Sequence, residues 1–401
     1  MNPNQRSPKV DQVPATGLRV AMVTETYPPE VNGVAFTLSR LVTGLLQANH
    51  HVTLIRPRQG SGDQPATATG FDELLMSGVP IPGYRGLRFG MPARRKLQTH
   101  WTLHRPDIVH IATEGPLGLS AVSAAEALDL PVSSSFHTNF HSYARHYGLG
   151  WLHRAVARHL RQLHNRTGLT LVPTRYLAQQ LRDEGYRQVE VLARGVDTGL
   201  FNPGRRSGEL RASWGVAHDQ LVIAYIGRMA SEKNLGLIGT AYEPIQRVRP
   251  DSRLLFVGDG PSLPQLKRQH PHALFAGMRR GEDLATHYAS ADLFLFPSLT
   301  ETYGNVVPEA LASGLPVVAF DCAAASELIR NGENGFLATD SRPEEFIDAA
   351  GQIACNRPLL DSMRKRAVAS VVDLSWHRIQ QAFAGHLAST IEARQGRAGD
   401  V

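Results

Sequence analysis

Apolar residues in this chain gather into short runs of strand length, and between them come stretches in which apolar positions recur at helical spacing. LRVAMVT at 18–24 is such a run. After a proline-rich, glycine-containing turn comes VAFTLSRLVTGLLQANH at 34–50, which has helical periodicity. HVTLIRP, DIVHIA, LPVSSSF and LTLVP continue the alternation, separated by helix-length stretches. Such alternation predicts a parallel sheet covered by helices on both faces. GVDTGLFNPGRRS at 195–207 collects glycine, proline and polar residues and reads as a linker. A second series follows it: LVIAYIG, SRLLFVG, HALFAG, LFLFP, LPVVAF and GFLA.

The expected fold class is therefore α/β, with two Rossmann-like, doubly wound parallel-sheet domains in tandem. The first spans 17–198 and the second 199–376, with a terminal helix over 377–401 packing back on the first domain and a disordered segment over 1–16. A length of 401 residues suits two cores. Ligands of open parallel sheets bind beyond the carboxyl ends of the strands, so two such sheets facing one another make a binding cleft.

Composition narrows the class. Hydrophobic residues make up 42% and charged residues 19%, the balance of a soluble globular protein. The chain contains no apolar run long enough to cross a bilayer and no secretory signal, so a cytoplasmic location is expected. Cys322 and Cys355 lack metal-ligand or redox spacing and are expected to be small buried residues. The net charge of +6 calls for an anionic partner: a nucleotide, a nucleic acid or a membrane surface. No aromatic-basic interleaving or recognition module supports nucleic acid.

Candidate chemistry sits at strand ends. In IGRMASEKN, Gly227 and Arg228 follow a strand and Lys233 comes five residues after the arginine. Two cations there suit a diphosphate, although each also reads as a solvated surface charge. In PSLTETYGNVVPEALASGLPVVAF, Glu301 and Glu309 flank a loop and a helix start between two strands. The loop 302–305 is placed to aim backbone N–H groups at a ligand. Glu309 is placed to accept from ribose hydroxyls, or merely complements the helix dipole. Gly258 in VGDGP and Gly33 in PPEVNGVAF allow close backbone approach, or serve as plain turn glycines. His137 ends a strand with Thr138 and Asn139 after it; among seventeen histidines its position singles it out, while His141 and His146 fall on the following helix.

Together, Gly33, His137, the Gly227-Arg228 to Lys233 pair and the Glu301 to Glu309 spacing resemble glycosyltransferase family 4, over nearly the whole chain. The resemblance implies a two-domain GT-B fold, no divalent metal or other cofactor, and sugar transfer from a UDP- or GDP-sugar with retention of configuration. It implies that Arg228 and Lys233 bind the diphosphate, Glu309 the ribose and Glu301 the donor sugar, with His137 as the cleft histidine. Tyr303, Gly304 and Asn305 would hold sugar and phosphate, with Gly227 and Gly258 beside them. Gly33 would approach the phosphates from the other domain and Met278 would lie beside the base. TETYPPEVNGVAFTL, HIATEGPLG, FHTNF and RGVD resemble bacterial glycolipid synthases, including glycosyl- and sulfoquinovosyl-diacylglycerol synthases and phosphatidylinositol mannosyltransferases. That subgroup implies a lipid acceptor; a soluble acceptor, a nucleotide-sugar epimerase and a non-catalytic sensor are the rival readings. Ala193-Arg194 stands where many members carry Pro-Asn, so Arg194 either touches a phosphate or is exposed.

Two basic stretches of the first domain suit an anionic membrane surface, and equally a solvated face. In WLHRAVARHLRQLHNRT, Leu152, Val156, Leu160 and Leu163 share one helical face, with Arg154, Arg158 and Arg161 on a free opposite one. RGLRFGMPARRKLQTHW carries Arg94, Arg95 and Lys96 near Phe89, Met91 and Trp101.

Overall fold

The computed structural model describes residues 17–30, 32–80, 88–137, 150–299 and 301–399; side chains are described within these, except for those of 150–154 and 397–399. The segment 1–16, Thr138, Asn139, His141 and His146 lie outside the described residues, as does the side chain of Arg154.

Every apolar run named above forms a strand. In the first domain these are β1 (Arg19–Val23), β2 (His51–Pro57), β7 (Ile108–Ile111), β8 (Val132–Ser135) and β9 (Leu169–Val172). In the second they are β11 (Val222–Ile226), β12 (Arg253–Val257), β13 (Leu274–Gly277), β14 (Leu293–Phe296), β15 (Val317–Phe320) and β16 (Gly335–Ala338). The pattern did not disclose β3 (Thr67–Ala68), β4 (Phe71–Met76), the hairpin of β5 (Gly78–Pro80) and β6 (Arg88–Gly90), or β10 (Val189–Val191). FDELLM looks too polar to be covered. It is accommodated because Arg56 of β2, 6% exposed at its side chain, reaches Glu73 at 2.9 Å and Asp63 at 2.7 Å. A buried guanidinium is tolerable only with such partners.

The first sheet runs β10-β9-β8-β7-β1-β2-β4-β3 and the second β13-β12-β11-β14-β15-β16. Within these two sheets all pairings are parallel except that of β3 with β4. In both sheets the first strand is flanked by the second on one side and by a later strand on the other. The chain order therefore reverses between β1 and β7, and again between β11 and β14, which opens a crevice at the carboxyl ends there.

Val222 to Ile226 are almost fully buried, as expected of a central strand covered on both faces. The helix Trp376–Gly399 lies outside this second core: its Ile379, Phe383 and Leu387 pack with Val20, Leu38, Leu41 and Leu169 of the first domain. The chain thus passes between the domains twice, and the two passes touch, with the Val196 amide donating to the Leu374 carbonyl at 2.8 Å.

Candidate functional site

Three strand ends build the second domain's half of the site. Gly227, after β11, has φ +154 and Gly258, after β12, has φ +129. A Cβ on Gly258 would lie 2.1 Å from the Gly227 carbonyl oxygen, so these two turns are pressed together backbone on backbone and admit only glycine. The Met229 amide donates to the Asp259 carbonyl at 2.8 Å, and the Tyr225 hydroxyl donates to the Arg228 carbonyl at 2.9 Å. The loop carrying Arg228 is thereby held from both sides. After the turn Ser231–Lys233, Asn234 adopts φ +52 and the Lys233 ammonium meets the Glu301 carboxylate beyond β14. Both side chains are 14% exposed. Arg228 is more open and pairs with Glu232. The structure therefore brings Lys233 and Glu301 together at the second reversal point, with Arg228 on the loop that leads to Lys233.

Glu309 lies in the first turn of the helix Val306–Ala312, partly buried, and accepts from the Tyr288 hydroxyl at 3.0 Å. Burial pushes its carboxyl up to about 7, with the Tyr288 hydrogen bond opposing that rise. Gly304, at φ +85, turns the chain into this helix, and Asn305 precedes it without capping it. Tyr303 does not fit its expected role. Its ring is 2% exposed and its hydroxyl donates to the Arg194 carbonyl at 3.1 Å, which takes the side chain away from a ligand and into the domain junction. Met278, just past β13, is 59% exposed and has no neighbour fixing it toward the cleft among the contacts described. Cys355 is exposed and Cys322 only half-buried, contrary to the expectation for both; each ends or begins a helix, where the chain surfaces.

On the first domain, Gly33 opens the helix Gly33–Gln47, whose Val34 and Ala35 amides are taken by the Asn32 side chain at 3.1 and 2.8 Å. A Cβ on Gly33 would lie 3.6 Å from an Arg194 guanidinium nitrogen and 3.8 Å from the Asn305 amide nitrogen. Gly33 thus stands where the two domains meet. His137, after β8, is buried, and its Nε2 has no partner among the described residues. Burial first, and the Arg194 charge next, hold its imidazole well below its ordinary value, so it is neutral at pH 7.

Two further residues lie near the cleft, Arg194, whose place the sequence left between two alternatives, and Glu25, which it did not single out. Arg194 is buried, which removes the alternative that it is exposed. Glu25, two residues after β1 at the first reversal point, accepts from the Leu117 amide at 3.1 Å and its carboxyl is pushed up to about 7, chiefly by burial. A carboxylate immediately after the apolar run 18–24 was the available signal for it.

The basic surface is partly as expected. Arg94, Arg95 and Lys96 are exposed at the start of the helix Arg94–Leu103, beside exposed Phe89 and Met91, and Lys96 also reaches the Leu75 carbonyl at 3.3 Å. Trp101 is 1% exposed and belongs to the core instead, because it lies on the helix face that packs inward with Leu97. On the helix Gly150–His164, Leu160 and Leu163 are buried and Arg158 is exposed. Arg161 is not free: it donates to the Glu184 carbonyl at 2.8 Å.

Comparison with known proteins gives the family and the fold. Residues 31–200 match the family model for Glycosyltransferase Family 4, and residues 220–356 match that for Glycosyl transferases group 1. A GDP-mannose-dependent alpha-mannosyltransferase of Corynebacterium glutamicum is 32% identical over 94% of this chain and 90% of its own length. An alpha-monoglucosyldiacylglycerol synthase of Streptococcus pneumoniae is 27% identical over 80% of this chain and 75% of its own. The solved sucrose-phosphate synthase of Thermosynechococcus elongatus shares the fold, with a TM-score of 0.76 at 17% identity, covering 94% of this chain and 99% of that one.

Proposed function

Because the chain belongs to glycosyltransferase family 4 and moves a sugar from a nucleotide-sugar, we propose that it is a retaining, metal-independent hexosyltransferase that glycosylates a membrane lipid such as diacylglycerol. The observation that carries this reading is the Lys233–Glu301 pair at the reversal point of the second sheet, with Arg228 on the loop that leads to Lys233 and Gly33 of the first domain close to Asn305. Two cations held there can neutralise charge building on a departing nucleoside diphosphate without a metal ion. Glu301 then serves the donor sugar hydroxyls, Glu309 the ribose, the backbone at Gly304 and Asn305 the phosphate, and neutral His137 the sugar from the opposite wall.

The C–O bond from the sugar to the β-phosphate breaks as the acceptor hydroxyl attacks the same face, and the leaving phosphate takes the hydroxyl proton. No protein nucleophile is required. The name of the Corynebacterium relative favours GDP-mannose as donor, within the class of UDP- and GDP-sugars, and the alpha products in both relatives' names favour retention. The diacylglycerol in the name of the Streptococcus relative favours a lipid acceptor. Exposed Arg94, Arg95, Lys96 and Arg158 support reversible docking on an anionic membrane at about 1 kcal/mol each. Among the described residues no helix is long and apolar enough to cross a membrane.

The test is a transfer assay on purified protein in EDTA, with anionic liposomes containing diacylglycerol or phosphatidylinositol and a panel of labelled UDP- and GDP-sugars. Labelled lipid with an α-linkage is the expected result. Donor hydrolysis without lipid product would assign a soluble acceptor instead, and a sugar adduct on any carboxylate would remove the same-face mechanism.

A further inference from the structure

Each of the two cations expected to bind the diphosphate already has a carboxylate of its own, Glu301 on Lys233 and Glu232 on Arg228. Arg194 has none among the described residues. Its side chain is 7% exposed, its Nε has no partner, and its guanidinium makes one long hydrogen bond, to the Asn305 side-chain oxygen at 3.5 Å. A crevice of about 10 Å³ beside it, also lined by His137 and Thr37, has room for about one water. A water there could satisfy Nε but would bring no charge. Among the described residues no carboxylate touches it and only the more distant Glu301 charge and the Tyr303 ring favour its ionised form, so a cation this deeply buried and this weakly paired is kept at the expense of the fold's stability.

The residue is also held in place. Tyr303 donates its hydroxyl to the Arg194 carbonyl, and the guanidinium lies 5.7 Å from the centre of the same ring. Gly33 faces it from the first domain, where a Cβ would lie 3.6 Å from the guanidinium, while Asn305 stands beside it on the second. A fixed cation facing the junction of two ligand-bearing loops is arranged in advance for an anion. Burial draws the pKa of its guanidinium down only to about 10, so it stays protonated at neutral pH.

We propose that Arg194 binds a phosphate group at the floor of the interdomain cleft and takes up the negative charge that develops on the leaving nucleoside diphosphate. This rests on the transferase reading above. When the sugar C–O bond breaks, its electron pair goes to the β-phosphate oxygen, which then accepts the proton of the attacking hydroxyl; Arg194 remains protonated throughout. A phosphate carried by the acceptor has the same chemistry. The donor is favoured because Asn305 belongs to the loop that also carries Glu301.

The experiment is calorimetric titration of the full chain and its Arg194→Met and Arg194→Lys variants with UDP, GDP, UMP, GMP and inorganic phosphate, alongside thermal melting of the ligand-free proteins. The Met variant is expected to lose at least about tenfold in affinity for whichever diphosphate the unaltered protein binds. It should keep its monophosphate affinity and melt no lower, and the Lys variant should recover part of the loss. Lost inorganic phosphate binding with diphosphate affinity intact would keep the phosphate subsite and overturn the donor assignment in favour of the acceptor. Unchanged affinities with a lower melting temperature would make Arg194 structural and overturn the proposal alone. Binding of neither UDP nor GDP by the unaltered protein would overturn the donor reading itself, and the subsite with it.

Discussion

Glu309 shows how burial gives a side chain a measurable signature. Its carboxyl is pushed up to about 7 by desolvation, so between about 4.5 and 7 the folded protein holds a proton that the unfolded chain has released. Stability therefore falls as pH rises through that window, by up to about 3 kcal/mol for this group. Glu309→Gln is expected to flatten the dependence of melting temperature on pH between 5 and 7; Glu25, shifted the same way, supplies the remaining slope. Ribose hydroxyls donating to Glu309 would favour its ionised form, so diphosphate binding near pH 6 should release a proton, seen as buffer-dependent heats. Proton release that persists in Glu309→Gln would dissociate Glu309 from the ribose. At this scale the position of Arg228 could be read in advance, because a charge just after an apolar run lies at a strand end. Tyr303 and Trp101 could not, because which face of a ring or helix meets the core depends on neighbours distant in the chain.

At the scale of elements, the terminal helix Trp376–Gly399 behaves as part of the first domain's core rather than as an appendage. Phe383 is fully buried and its ring sits edge-on to His110, 5.0 Å between centroids. Phe383→Ala should cost about 3–5 kcal/mol and lower the urea midpoint of the first domain's transition. An unchanged midpoint would mean that the helix detaches easily. The strands show a parallel contrast. The long apolar runs were legible because burial on both faces leaves no room for polar alternation. β4 was not, since Asp72 and Glu73 near its start are tolerated only through partners such as Arg56 on the neighbouring strand. Its polarity is local, while its compensation is tertiary.

Over the whole molecule, the domains are joined by two touching chain passes and by a few side-chain ties, of which Arg175 to Glu327 uses both the Arg175 amide and its guanidinium. Arg175 is 76% exposed at its side chain, so the pair is worth only about 0–1 kcal/mol. Arg175→Ala is therefore expected to leave the melting temperature nearly unchanged while increasing the radius of gyration of the nucleotide-free protein in small-angle scattering. A melting loss of several degrees, or an unchanged radius, would refute a role in holding the domains together. The two-domain α/β architecture and the charged, glycine-containing loops at the strand ends were legible along the chain, because apolar runs, turn glycines and strand-end charges are local signals. Only the tertiary structure decided which charges face each other. Lys233 meets Glu301 across 68 residues and Arg194 meets Asn305 across 111. Which cation is already compensated, and which awaits a ligand, follows from how two separately encoded sheets come to face one another.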